Sequence, residues 1–340
     1  MRVLITGVGG ALGGRVASLV EELREVEAIA GLDVVAPHRR LRRTEISVVD
    51  PRERRLVANA VKRFQPTAVL HLGIYEPDAR ATPRVAAERT MAGTTTVLGV
   101  AAEMGCLDRI VVRSGSEIYG RRTNSTQVPD ESAIPDPTSA FGRTLLRTEQ
   151  LAQATADSVG ATCSLLRFAT IVGPDVPSPL ARYLRLRVVP VNGVPDAPLA
   201  LLHADDAARA IVAALRLQLD GPLNVAGEGS VTAFQAALLG GNIPLPTFGP
   251  WWSVARRISS ALGSPVPDHL LELLQRGRVT DVSRLQVLPD LLPALSTIEV
   301  ARALHTWTGE STADDAEDSA PTARTTAPIR AKKKTAAGAR

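Results

Sequence analysis

Residues Arg2 to Thr6 form a short apolar run of β-forming side chains that ends in a glycine-rich turn. From Ala11 to Val26 the apolar positions Leu12, Val16, Leu19 and Leu23 recur at helical spacing. Further strands are expected at Ala28 to Asp33, Ile46 to Val49, Ala68 to Leu72, Asp108 to Ser114 and Ala161 to Phe168. Helical patterns lie between them: one opened by Pro51, a long one over Val85 to Met104, and one from Ser139 to about Asp157. A second set, Ala204 to Leu217 and Leu223 to Val225, reads as helix and short strand returning to the same sheet. Buried strands alternating with amphipathic helices predict an α/β chain with a Rossmann-type, doubly wound parallel sheet.

The pattern also divides the chain. Residues 1–175 read as the Rossmann-type domain, with 201–229 returning to it. Residues 176–200 and 230–308 are richer in proline and less regular, and are expected to form a smaller substrate lobe. The tail, 309–340, holds almost no large apolar residue and is expected to be disordered. Trp251 and Trp252 begin a basic stretch with Arg256 and Arg257, read as core of the small lobe, with a partner or membrane-surface helix as the other reading.

Composition narrows the function classes only slightly. The formal charge is +4, and Lys332, Lys333 and Lys334 in the tail carry part of it, so the basic balance argues for no nucleic-acid partner. Cys106 and Cys163 sit in apolar surroundings and read as buried hydrophobes, neither a disulfide nor a metal site. With no secretory pattern and no membrane-length apolar run, a cytoplasmic protein without a transmembrane segment is expected.

The informative chemistry is at the start. Gly7, Gly10 and Gly13 follow a strand and open a helix. A dinucleotide needs that combination: a tight turn, backbone that a pyrophosphate can approach, and a helix N-terminus offering free amides. Asp33 ends the second strand twenty residues beyond Gly13, where a carboxylate accepts from ribose hydroxyls. That favours NAD over NADP, because a 2′-phosphate would meet like charge, although His38, Arg39 and Arg40 keep NADP open. Asp50 is expected near the adenine, and Leu72 with Gly73 against the dinucleotide.

These pieces, with others in the same order, resemble the extended short-chain dehydrogenase/reductase superfamily, the NAD-dependent nucleotide-sugar epimerases and dehydratases, over about residues 1 to 307. The matching segments are Thr6-Gly7-x-x-Gly10-x-x-Gly13, Leu70-His71-Leu72-Gly73, Gly93-Thr94, and Ser114-Gly115-Ser116-Glu117-Ile118-Tyr119-Gly120. They continue with Leu166-Arg167, Val172-Gly173-Pro174, Leu202-His203-Ala204-Asp205-Asp206-Ala207 and Gly277-Arg278-Val279-Thr280-Asp281. The resemblance implies a Tyr-x-x-x-Lys pair at the start of the helix after Ser139, yet Phe141 stands at the tyrosine position and Leu145 at the lysine position. The family's serine or threonine falls on Gly115. Lys62 is the only lysine before the tail, so no shift in register restores the pair. Losing a general acid–base group costs about 10² to 10⁴ in rate.

Substrate determinants are also thinned: Thr170 replaces an asparagine and Leu199 a diphosphate-binding arginine, whereas Arg278 is retained. Candidates for remaining chemistry are Glu117, the counterpart of a dehydratase-branch base, with Tyr119, Ser116 and Ser114. His71 and His203 read as packing or hydrogen-bonding residues, with no metal-ligand spacing. Two functions stay open: a redox enzyme acting on a sugar or related small molecule with a non-standard acid/base, and a silent NAD-binding sensor or partner subunit. By the same resemblance, the helix over Val85 to Met104 is the candidate surface for a homodimer.

Overall fold

The computed structural model describes residues 1–77, 81–121, 127–193, 197–247 and 267–307. Its strands are β1 (Arg2–Thr6), β2 (Ala28–Asp33), β3 (Thr44–Val48), β4 (Ala68–His71), β5 (Arg109–Gly115), β6 (Thr162–Phe168), β7 (Thr170–Val172), β8 (Val188–Asn192), β9 (Pro198–Leu199), β10 (Leu201–His203), β11 (Gly221–Val225), β12 (Val231–Thr232) and β13 (Ile243–Thr247). The helices are α1 (Ala11–Glu21), α2 (Arg54–Phe64), α3 (Pro83–Glu103), α4 (Ala140–Val159), α5 (Pro179–Leu184), α6 (Ala204–Leu217), α7 (Ala233–Leu239), α8 (Asp268–Arg276), α9 (Ser283–Gln286) and α10 (Thr297–Ala303).

Seven strands make one sheet in the order β11-β6-β5-β4-β1-β2-β3, and every pairing is parallel. The order reverses between β1 and β4, which opens a crevice at the carboxyl edge where ligands of such sheets sit. Alternation along β1 sends Val3 and Ile5 to the core under α1 and α6, and Leu4 to the core under α2, α3 and α4. A separate apolar cluster gathers Leu180, Leu184, Val189, Val191, Leu199, Leu201, Ala236, Leu270, Leu273 and Val300.

Some boundaries differ from the pattern. Helix α1 ends at Glu21, short of Val26; Glu21, Glu22 and Glu25 there oppose the negative end of the helix dipole. Leu23 still packs against the core from the turn beyond. Pro51 does not open α2: it lies in a turn, and the helix begins only at Arg54, with Glu53 as its cap. Cys163 is buried as expected, while Cys106 is partly exposed, and both are free. The Trp251–Trp252 stretch and the tail lie outside the described residues. No helix among the described residues is long and apolar enough to cross a membrane.

Candidate functional site at the carboxyl edge of the sheet

The turn between β1 and α1 and the first turn of the helix are tight where Gly7 and Gly13 stand. Gly7 has φ +74°, and a Cβ there would lie 2.8 Å from the backbone of Leu72 and Gly73. A Cβ on Gly13 would run into the Gly7 carbonyl. Gly10, by contrast, faces open space, with only the Gly7 oxygen at 3.4 Å from a hypothetical Cβ. It caps α1 without a side-chain hydrogen bond, and no acidic residue follows in the first turn. The amides of Ala11, Leu12 and Gly13 consequently have no acceptor among the described residues, because the helix bonding begins with Gly14 N–H to the Gly10 carbonyl at 2.9 Å. Three free amides at a positive helix end form a cradle for an anion.

Beside the cradle, Asp33 is 8% exposed. Its Oδ2 accepts from the Gly9 amide at 2.8 Å and its Oδ1 from the Val34 amide at 2.6 Å. Burial pushes this carboxyl above its ordinary range, against the pull of the backbone amides of Val34, Gly9, Gly10 and Val35. A crevice continues from Gly7 and Asp33 along Val49, Pro51, Gly73 and Tyr75. The Tyr75 hydroxyl is held protonated by burial and by the neighbouring Asp33 charge. Asp50 stands outside this lining: its carboxylate is engaged by the Arg52 guanidinium at 2.7 Å, which holds it below its ordinary range.

His71 is wholly buried, and burial depresses it to about 4. Thr94 Oγ1 donates to the Thr90 carbonyl at 2.7 Å, so it accepts from His71 Nε2 at 2.8 Å. His71 Nδ1 then accepts from Thr6 Oγ1 at 2.9 Å, and the same hydroxyl oxygen receives the amides of Leu72 and Gly73. This relay fixes the backbone that walls the crevice. It leaves the imidazole no proton to exchange with a ligand.

The candidate chemistry after β5 is arranged differently from a row of open side chains. Residues Ser116–Tyr119 form a 3₁₀ turn, all buried. The Tyr119 hydroxyl donates to Asn224 Oδ1 at 2.8 Å and accepts from Arg167 Nη1 at 2.9 Å, so neither of its roles is free. Arg167 in turn forks onto Glu149 at 2.9 and 3.1 Å. Tyr119 thus belongs to a buried brace joining β6, β11 and α4. Ser114 Oγ, also buried, has no partner among the described residues.

Glu117 meets Arg278 Nη1 at 3.1 Å, the guanidinium being 3% exposed and the carboxylate 11%. A second carboxylate, Glu272 on α8, lies 3.8 Å from Arg278 Nη2 and accepts from Thr138 Oγ1. Arg278 keeps Nε and Nη2 without a hydrogen bond among the described residues. Leu199, fully buried, pairs with Arg278 through the backbone and offers nothing polar.

Phe141 opens α4 and packs with Ile74, Ile118, Tyr119 and Leu145. The ring of His269, from α8, stands 5.0 Å from it, centroid to centroid. His269 Nε2 reaches Glu76 Oε1 at 2.9 Å. Burial pushes the Glu76 carboxyl up, but His269, Arg113 and Arg182 outweigh this and hold it below its ordinary range. Sequence pattern alone passes over this pair. The helical spacing of Leu270, Leu273 and Leu274 marks α8 as amphipathic, but 193 residues separate His269 from its carboxylate. No group of three His, Cys, Asp or Glu placed to hold a metal ion occurs among the described residues.

Against known proteins, the NAD dependent epimerase/dehydratase family profile matches residues 3–226. An uncharacterized protein of Mycobacterium tuberculosis is 27% identical over 315 residues, covering 87% of this chain and 81% of that one. Among solved structures, a UDP-glucose 4-epimerase of Thermus thermophilus in complex with NAD superposes with TM-score 0.70 at 21% identity, covering 92% of this chain and 100% of that one. The Thermotoga maritima UDP-glucose 4-epimerase with UDP-glucose gives 0.69 at 19% identity, over 90% and 98% of the two chains. The UDP-glucuronic acid 4-epimerase of Bacillus cereus in complex with NAD gives 0.68 at 17%, over 90% and 98%.

Proposed function

The chain belongs to the NAD dependent epimerase/dehydratase family, within the extended short-chain dehydrogenase/reductase superfamily, and from that premise we propose that it binds NAD(H) and does not run the family's usual tyrosine–lysine chemistry. The observation that carries the first half is the trio of free amides at Ala11, Leu12 and Gly13, opening beside the Asp33 carboxylate. Those amides would hold the cofactor's pyrophosphate, Asp33 an adenosine ribose, and the apolar wall of Leu32, Val49, Val57 and Val97 the adenine. NAD is favoured over NADP by the negative charge of Asp33.

The second half rests on Gly115, Phe141 and Leu145, none of which carries an ionisable proton. A bound NAD supplies a two-electron hydride acceptor or donor. The chain must therefore handle the substrate's proton with some other group, and the substrate is a sugar or related small molecule with an oxidisable secondary alcohol. Glu117 is ill suited to lead, because its carboxylate is tied to Arg278.

A second reading, a silent NAD-binding sensor or partner subunit, draws on the packing of Phe141 into an apolar cluster where the family places a reactive hydroxyl. NADH fluorescence titration tests the cofactor claim, with saturable binding expected. Incubation with UDP-glucose tests the chemistry: no epimerisation is expected, and robust turnover by the wild-type protein overturns this account of the site.

A further inference from the structure

If positions 115, 141 and 145 provide no proton carrier, the group packed against Phe141 becomes the one to weigh. That group is His269. Its side chain is 7% exposed, and its ring lies 5.0 Å from the phenyl ring, tilted by 45°. Helix α8 projects it onto the carboxyl edge of the sheet, where Glu76 follows β4 and Arg113 belongs to the end of β5.

The hydrogen bond to Glu76 fixes the state of the ring. The carboxyl of Glu76 is kept ionised by His269, Arg113 and Arg182, and an ionised carboxylate only accepts. The hydrogen at 2.9 Å therefore sits on His269 Nε2. In the neutral imidazole Nδ1 is then the basic nitrogen, and it has no hydrogen-bond partner among the described residues. A carboxylate that holds one ring nitrogen sets the tautomer, orients the ring and stabilises the imidazolium once a proton arrives at the other.

We propose that His269 is the proton-transfer residue of this site, with Glu76 as its positioning residue, replacing the hydroxyl that Phe141 lacks. The assignment rests on the NAD-binding reading above. A secondary alcohol would lose its carbinol hydrogen as hydride, for which bound NAD⁺ would supply the acceptor. Its O–H bond breaks, the proton forms a new bond to His269 Nδ1, and a carbonyl results. Reduction is the reverse, with the imidazolium returning the proton. The substrate class is thus an alcohol–ketone pair on a polyol or sugar. Among the described residues, the charged groups around the pair are Arg113 on β5 and Arg182 on α5, which act on Glu76, and, one turn along α8 from His269, Glu272, which is already shared between Thr138 and Arg278.

The test needs no substrate. Full-length protein labelled with ¹⁵N-histidine is saturated with NAD⁺ or with NADH, and the His269 ring is titrated by long-range ¹H–¹⁵N NMR, its signal assigned by loss in His269→Gln. A group facing the reacting ring feels the positive charge of the oxidised nicotinamide. Its titration midpoint is expected to be lower in the NAD⁺ complex by about half a pH unit or more. Glu76→Gln should lower the midpoint by about one unit in both complexes and keep the difference between them. Equal midpoints with the two cofactors, or a midpoint unmoved by Glu76→Gln, overturn the assignment while leaving cofactor binding intact. Absence of any NADH fluorescence change overturns the underlying reading as well.

Discussion

The carboxylate of Glu117 occupies the place where a side chain on Gly115 would begin: an added Cβ would collide with Glu117 Oε2 and stand 3.2 Å from Leu145 Cδ1. Glycine at 115 is what lets Glu117 fold back to meet Arg278 at 3.1 Å. Gly115→Ser should therefore drive the carboxylate away and leave a nearly buried guanidinium poorly paired. A loss of about 2 kcal/mol in urea-denaturation stability is expected, since an unmatched buried charge costs several kcal/mol and Glu272 remains nearby. An unchanged midpoint would show that the pair contributes little.

The glycine turn separates folding from binding. Gly10→Ala adds a methyl to open space, so its thermal midpoint should match the wild type, while NADH affinity falls by at least about tenfold as the methyl meets the pyrophosphate. Gly13→Ala presses on the Gly7 carbonyl and should destabilise the fold itself by about 2–3 kcal/mol. Thermal melts alongside NADH titrations distinguish the two.

Asp33→Ala removes the proposed ribose acceptor and a charge that would oppose a 2′-phosphate. Hydrogen bonds to a charged group are worth about 1.5–3 kcal/mol, so NADH should bind roughly ten- to a hundredfold more weakly. NADPH, expected to bind the wild type weakly, should approach NADH in affinity. Fluorescence titrations with both nucleotides check this, and an unaltered NADH affinity would remove Asp33 from the site.

Acid sensitivity should report on His71. In the fold it stays neutral down to about 4, whereas the unfolded chain gains that proton near 6.5. Its contribution to stability is fully present above 6.5 and is lost as pH falls from there toward 4, by about 3 kcal/mol at most. Urea denaturation between pH 7.5 and 4 should show the decline, and His71→Gln should flatten it over the same window.

What the chain's pattern reveals and what it conceals follow from range. Elements such as Ala28–Asp33 and Ala204–Leu217 fall where the pattern placed them, because the first is an apolar run buried on both faces and the second shows one buried helical face. The glycines and Asp33 are legible since one turn and one strand suffice to bring them together. The remainder of the site is assembled across the chain. Tyr119 meets Asn224 105 residues on, and Glu117 meets Arg278 161 residues on. Spacing carries no trace of such pairings, so Tyr119 and Glu117 look equally available in one dimension and are both committed in three. His269 and Glu76 are hidden for the same reason.

Arg15 has a consequence of its own. Buried on α1, it bonds Asp205 at 2.8 Å and the Pro174 carbonyl at 2.7 Å, and it also holds the Ala11 carbonyl of its own first turn at 3.0 Å. One side chain therefore rivets the start of α1 to the start of α6 and to the bend beyond β7. The first turn of α1 is thus pinned to positions 159 and 190 residues downstream, and shifting it would strain both hydrogen bonds at once.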